Sequence, residues 1–149
     1  MAQKILIVEA RFYPAMADAL AQGAIAAIEE AGASYDRLAV PGVLELPYAI
    51  KSASTIAGEN HYDAYVALGV VMRGETSHYD VVCNESARGL MDLGLQYNLA
   101  IGNGIQTVED EAQAWARCKP DDKDKGGGAA HAALALLDYQ TKLRIMTGA

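Results

Sequence analysis

Four short segments, near positions 4–9, 35–40, 64–71 and 100–107, read as strands: the first is β-branched, the third an apolar run and the fourth rich in glycine. Each is followed by a stretch whose apolar residues recur at helical spacing. The third, an apolar run bounded by glycine, is how a buried parallel strand reads. The intervening spacing predicts helices over about 14–31, 43–57, 78–97, 109–118 and 129–145. Ala17, Leu20, Ala24, Ile25 and Ile28 mark the buried stripe of the first helix; Pro14 suits its first turn and Gly32 its C-cap. Val82, Ser86, Leu90, Leu93 and Tyr97 mark the core face of the third. The alternation predicts the α/β class, a three-layer α/β/α sandwich around a four-stranded parallel sheet, in one domain over residues 1–149.

The polar positions gather where strands end. The third run passes abruptly into Arg73-Gly74-Glu75-Thr76-Ser77-His78-Tyr79-Asp80. In an open α/β sheet, strand carboxyl ends and the helix starts that follow them face the ligand crevice. Gly74 allows a tight turn, and Thr76 and Ser77 stand at N-cap positions, with Ser77 and Asp80 at capping-box spacing. Such a helix start welcomes an anion. His78, in the first turn, can pass protons near neutral pH. Taken alone, a histidine there is a cap or surface residue roughly twice as often as a catalytic group. Phe12, the only phenylalanine, falls at the end of the first strand, where it either stacks on a ligand ring or staples the helix from beneath. Glu45 opens the helix after the second strand, where the helix dipole alone accounts for an acid.

Composition narrows the function classes. A net charge of −7 with scattered basic residues argues against a nucleic-acid partner. No apolar run is long enough to cross a bilayer, and Met1-Ala2-Gln3-Lys4 leads directly into a strand, which predicts a cytoplasmic protein. Cys83 and Cys118 fit neither a disulfide framework nor a metal site, and both read as reduced thiols. The triplet Gly126-Gly127-Gly128 follows no strand and lacks Gly-Lys-Ser/Thr, so it reads as a helix-start turn and not as a phosphate loop. Metal-ligand spacing and a Gly-x-Ser-x-Gly elbow are both missing. His61 reads as a loop residue and Trp115 as a buried helix contact.

Three segments together carry a family resemblance: Arg11-Phe12, Val40-Pro41-Gly42-Val43-Leu44-Glu45-Leu46-Pro47, and Ala67 to Asp80 with Val82-Cys83-Asn84-Glu85. In order and spacing they resemble the lumazine synthases of riboflavin biosynthesis, over nearly the whole chain. The resemblance implies a flavodoxin-like strand order. It also implies condensation of 5-amino-6-(D-ribitylamino)uracil with 3,4-dihydroxy-2-butanone 4-phosphate, releasing phosphate and water with no metal or organic cofactor. By the same resemblance Phe12 stacks on the ring, Glu45 accepts from the ribityl hydroxyls, Val43, Leu44, Val71 and Met72 line the pocket, Gly74, Glu75 and Thr76 hold the phosphate, and His78 moves protons. Asn103, Arg117 and Lys125 match residues that a neighbouring subunit contributes, with Arg117 gripping the phosphate.

The chain departs from the common pattern at Asn103, where many members have a phenylalanine, at Gly128, near a usual acid, and at Pro120-Asp121-Asp122, which replaces a glycine-containing turn. That turn is associated with assembly, and its replacement points to a free homopentamer in place of an icosahedral shell. The alternative class is a relative that binds lumazine or flavin without turnover, separated from the enzyme by whether phosphate is released.

Overall fold

The computed structural model describes residues 2–148. In chain order the elements are β1 (Lys4–Ala10), α1 (Pro14–Glu30), β2 (Ser34–Val40), a 3-10 turn (Val43–Glu45), α2 (Leu46–Ala53), a second such turn (Gly58–Asn60), β3 (Ala64–Met72), α3 (His78–Tyr97), β4 (Ile101–Val108), α4 (Glu111–Cys118) and α5 (Lys125–Thr147). The four strands pair in parallel in the order β2-β1-β3-β4. This is the expected flavodoxin-like order, with its reversal between β1 and β3. Crossovers leave those two strands in opposite directions, opening a crevice at their carboxyl ends.

Alternation along the central strands divides the core into two layers. Ile5 and Ile7 of β1 and Val66, Leu68 and Val70 of β3 face α1, α4 and α5. Leu6 and Val8 of β1, with Tyr65, Ala67 and Val71 of β3, face α2 and α3. Both faces of these strands are covered, which is why they read as unbroken apolar runs. The helical layer of the first face is built from small side chains: Ala21, Ala24 and Ala27 of α1 share a cluster with Ala129, Ala130 and Ala133 of α5. Backbones therefore approach closely. A Cβ on Gly126 would collide with the Leu20 carbonyl of α1, and one on Gly102 with the Ala129 carbonyl of α5.

That approach corrects one expectation. The glycine triplet is not a turn: α5 already begins at Lys125, capped by Asp124, whose carboxylate accepts from Gly127 N–H at 3.2 Å. Helical propensity argues against three consecutive glycines, but the contact with α1 requires a bare Cα at Gly126. Conversely, the helix expected to reach residue 57 stops at Ala53. The Ser54 hydroxyl donates to Lys51 O at 2.6 Å and that of Thr55 to Ser52 O at 2.7 Å, competing with the backbone ladder. Tyr97 is 51% exposed instead of core, with the Lys51 ammonium 4.3 Å from its ring centre. Trp115 is only half-buried. Gly32 does end α1, at φ +75°, in a Schellman arrangement: its N–H donates to Glu29 O and that of Ala33 to Ile28 O. Cys118 is fully buried, and burial pushes its thiol up to about 11.

Candidate active site

A cavity of about 350 Å³ opens at the carboxyl end of the sheet, at the β1/β3 switch point. Three loops build its walls. After β1, Pro14 begins α1 abruptly, and the intervening turn puts Phe12 on the rim with its side chain 73% exposed. A phenylalanine that exposed has little use as a staple. Its ring meets Tyr13 edge to face, centroids 5.0 Å apart at 77°. After β2, the turn Gly42-Val43-Leu44-Glu45 forms the second wall. It sits low because β3 has a glycine beneath it: a Cβ on Gly69 would lie 2.8 Å from Val43 Cγ2. Gly42 likewise leaves room for the Glu45 carboxylate, whose Oε1 would be 3.1 Å from a Cβ there.

The third wall is the end of β3 and the start of α3, with Val71, Met72, Gly74, Thr76 and His78. His78 is the first residue of α3; its N–H donates to Thr76 Oγ1 at 3.3 Å, and its ring is exposed to the cavity. The capping box is not formed. Ser77 occupies the N-cap position without a side-chain cap bond, and Asp80 turns instead toward Arg73, at 3.8 Å. The positive end of the α3 dipole thus faces the cavity mouth. Arg73 braces the loop from outside: its Nε donates to Glu109 Oε2 at 2.7 Å, and its guanidinium lies 4.2 Å from the Tyr79 ring centre. The Glu109 bond holds the Arg73 cation firmly charged, while burial raises the Tyr79 phenol above its ordinary value and keeps it protonated at neutral pH.

Phe12, Val43, Leu44, Glu45, Val71, Met72, Gly74, Thr76 and His78 are thereby brought together around one cavity. Glu75, in the same loop, is exposed and does not line it. Neither do Asn103, Arg117 and Lys125. The Asn103 Oδ1 accepts from Ile105 N–H at 2.9 Å, and the residue borders a second cavity of about 440 Å³ between α3 and α5. Arg117 lies on α4, donating to Gln113 O at 3.0 Å, and Lys125 is the exposed first residue of α5. Sequence reading missed Tyr13, Gly42, Val70, Tyr79 and Val82, which also line the first cavity. Val82 stands four residues after His78, one helical turn away, and that spacing could have found it.

The sequence model of the family described as 6,7-dimethyl-8-ribityllumazine synthase matches residues 2–141. This chain belongs to that family. A 6,7-dimethyl-8-ribityllumazine synthase of Agrobacterium fabrum is 58% identical over 141 residues, which cover 93% of this chain and 95% of the relative. One from Rhizobium meliloti, named 6,7-dimethyl-8-ribityllumazine synthase 1, is 56% identical, covering 93% of this chain and 92% of its own length. A third, from Bartonella tribocorum, is 57% identical over 133 residues, or 89% of this chain and 87% of the relative. Every candidate residue falls within the span matched to the lumazine synthases. Among the described residues, no cluster of His, Cys, Asp and Glu is arranged to hold a metal, and no helix is long and apolar enough to cross a membrane.

Proposed function

We propose that this lumazine synthase condenses 5-amino-6-(D-ribitylamino)uracil with 3,4-dihydroxy-2-butanone 4-phosphate, releasing phosphate and water to form 6,7-dimethyl-8-ribityllumazine. One observation carries the site assignment: an exposed aromatic face, a carboxylate, an open helix start and an imidazole meet in a single cleft. The uracil ring stacks on Phe12 between Val43, Leu44, Val71 and Met72, and Glu45 accepts hydrogen bonds from the ribityl hydroxyls. The phosphate rests against Gly74, Glu75 and Thr76 at the start of α3, where backbone N–H groups and the helix dipole favour negative charge.

Attack of the substrate amine on the ketone, loss of water to an imine, elimination of phosphate and ring closure with loss of a second water each move protons. His78 is placed to receive and return them. Holding two substrates in register supplies much of the remaining acceleration. The other wall of each site comes from a neighbouring subunit in a homopentamer, through Asn103, Arg117 and Lys125. That none of the three lines the cavity of its own subunit supports this, as do the exposed Met91, Leu95, Tyr139 and Leu143 around the second cavity beside Asn103, a patch suited to association.

The test is a turnover assay on purified protein with both substrates, following phosphate release and lumazine fluorescence together. Both signals rise in step if the enzyme reading is right. Product binding without phosphate release would make the chain a binding relative instead. In the same assay Arg117→Ala is expected to raise KM for the four-carbon phosphate about tenfold, the loss of a charge-assisted bond, with KM for the uracil nearly unchanged. Equal rises for both substrates would remove Arg117 from the phosphate site.

A further inference from the structure

Phe12 projects from a three-residue turn between β1 and α1, and among the described residues its ring has only Tyr13 as an aromatic neighbour. An exposed ring on so short a turn is fixed only as well as the backbone that carries it. That backbone is held by the preceding residue. The Arg11 N–H donates to Val40 O of β2 at 3.3 Å. Its guanidinium spans the turn: Nη1 donates to Glu9 Oε1 at 2.8 Å, and Nη2 donates to Asp18 Oδ1 at 2.6 Å and, at the long limit of 3.5 Å, to Pro14 O. One planar group thus links the end of β1 to the first turns of α1, which the point charge of a lysine could not do.

The anchor is a buried carboxylate. Glu9 is 2% exposed, and a charge there requires a partner. Arg37 of β2 already supplies one with both arms, Nε to Oε2 at 2.6 Å and Nη2 to Oε1 at 2.9 Å. Charge compensation of Glu9 therefore does not account for Arg11. What Arg11 adds is the connection from Glu9 across the turn to Asp18. We infer that Arg11, anchored on Glu9 and Asp18, is a positioning residue that presents the Phe12 ring to the cavity in a preorganised orientation. The inference rests on the reading of Phe12 as the platform for the uracil ring.

Arg11→Met tests it, because methionine keeps an apolar stem of similar reach and Arg37 still pairs with Glu9. Asp18→Asn, at an exposed position, weakens the outer arm alone by removing its charge and carries the test should Arg11→Met fold poorly. In the full chain, calorimetric affinity for 6,7-dimethyl-8-ribityllumazine and KM for each substrate are compared with those of Phe12→Ala. Arg11→Met is expected to weaken lumazine binding and raise KM for the uracil about tenfold, leaving KM for the four-carbon phosphate within about twofold. Asp18→Asn shifts the same quantities in the same direction by less. If Phe12→Ala weakens lumazine binding while Arg11→Met and Asp18→Asn do not, the inference fails and the platform reading stands. If Phe12→Ala itself leaves lumazine affinity unchanged, the platform reading fails and takes the inference with it. Equal rises in KM for both substrates would assign Arg11 a general structural role and overturn its positioning role.

Discussion

Replacing His78 with alanine is expected to lower turnover about a hundredfold, the lower end of what a positioned proton carrier contributes, while affinity for the lumazine product changes little. The separation follows from where His78 stands. Its ring lies at the start of α3 on the cavity wall, while the groups assigned to the ring and the ribityl chain, Phe12 and Glu45, belong to two other loops. Removing the imidazole leaves those loops untouched. The capping contact is also preserved, since Thr76 Oγ1 accepts from the backbone N–H of residue 78 and not from its side chain. Turnover under saturating substrates, read beside calorimetric binding of the lumazine, decides the matter. Turnover unchanged in His78→Ala would exclude it from proton transfer.

A second large effect is expected far from the chemistry. Gly126→Ala should destabilise the protein by about 3 kcal/mol, because the added methyl runs into the Leu20 carbonyl, backbone against backbone, where no side chain can rotate away. Gly128→Ala, two positions on, should do the reverse. Among the described residues nothing lies within 4 Å of a Cβ there, and alanine in an exposed helical turn is better than glycine by about 0.5–1 kcal/mol. Thermal unfolding of the two variants should therefore shift in opposite directions, with Gly126→Ala melting roughly 10 °C lower. Parallel shifts would mean that the triplet matters for its flexibility and not for the approach of two helices.

The same triplet shows where sequence reading stops. The strands were legible because both central strands are covered on two faces, so burial appears as continuous apolar runs at 4–9 and 64–71. The start of α3 and the cavity at the end of β3 were legible because the chain changes there from apolar to polar within three residues. Phe12, Glu45 and His78 could be singled out as polar or aromatic residues at strand ends, but their meeting around one cavity needed the strand order. The helical state of Gly126, the exposure of Tyr97 and the early end of α2 were not legible. Each is decided by a partner remote in sequence or by a side chain bonding back to its own backbone. Glu9 was read only as the last residue of a strand; its two arginine partners come from the turn after β1 and from β2.

The pairing of α1 with α5 also bears on how the molecule is made. The alanine face of α1, with Leu20 and Ile28, is covered by helix residues translated some hundred positions later, beginning at Gly126. On a translating ribosome the β1–α1–β2 unit emerges early with that face bare, and it must wait for α5 before its backbone contact can form. Chains released before residue 125 would keep an apolar surface open to aggregation, and chaperone demand should fall sharply once α5 is free to pack on α1.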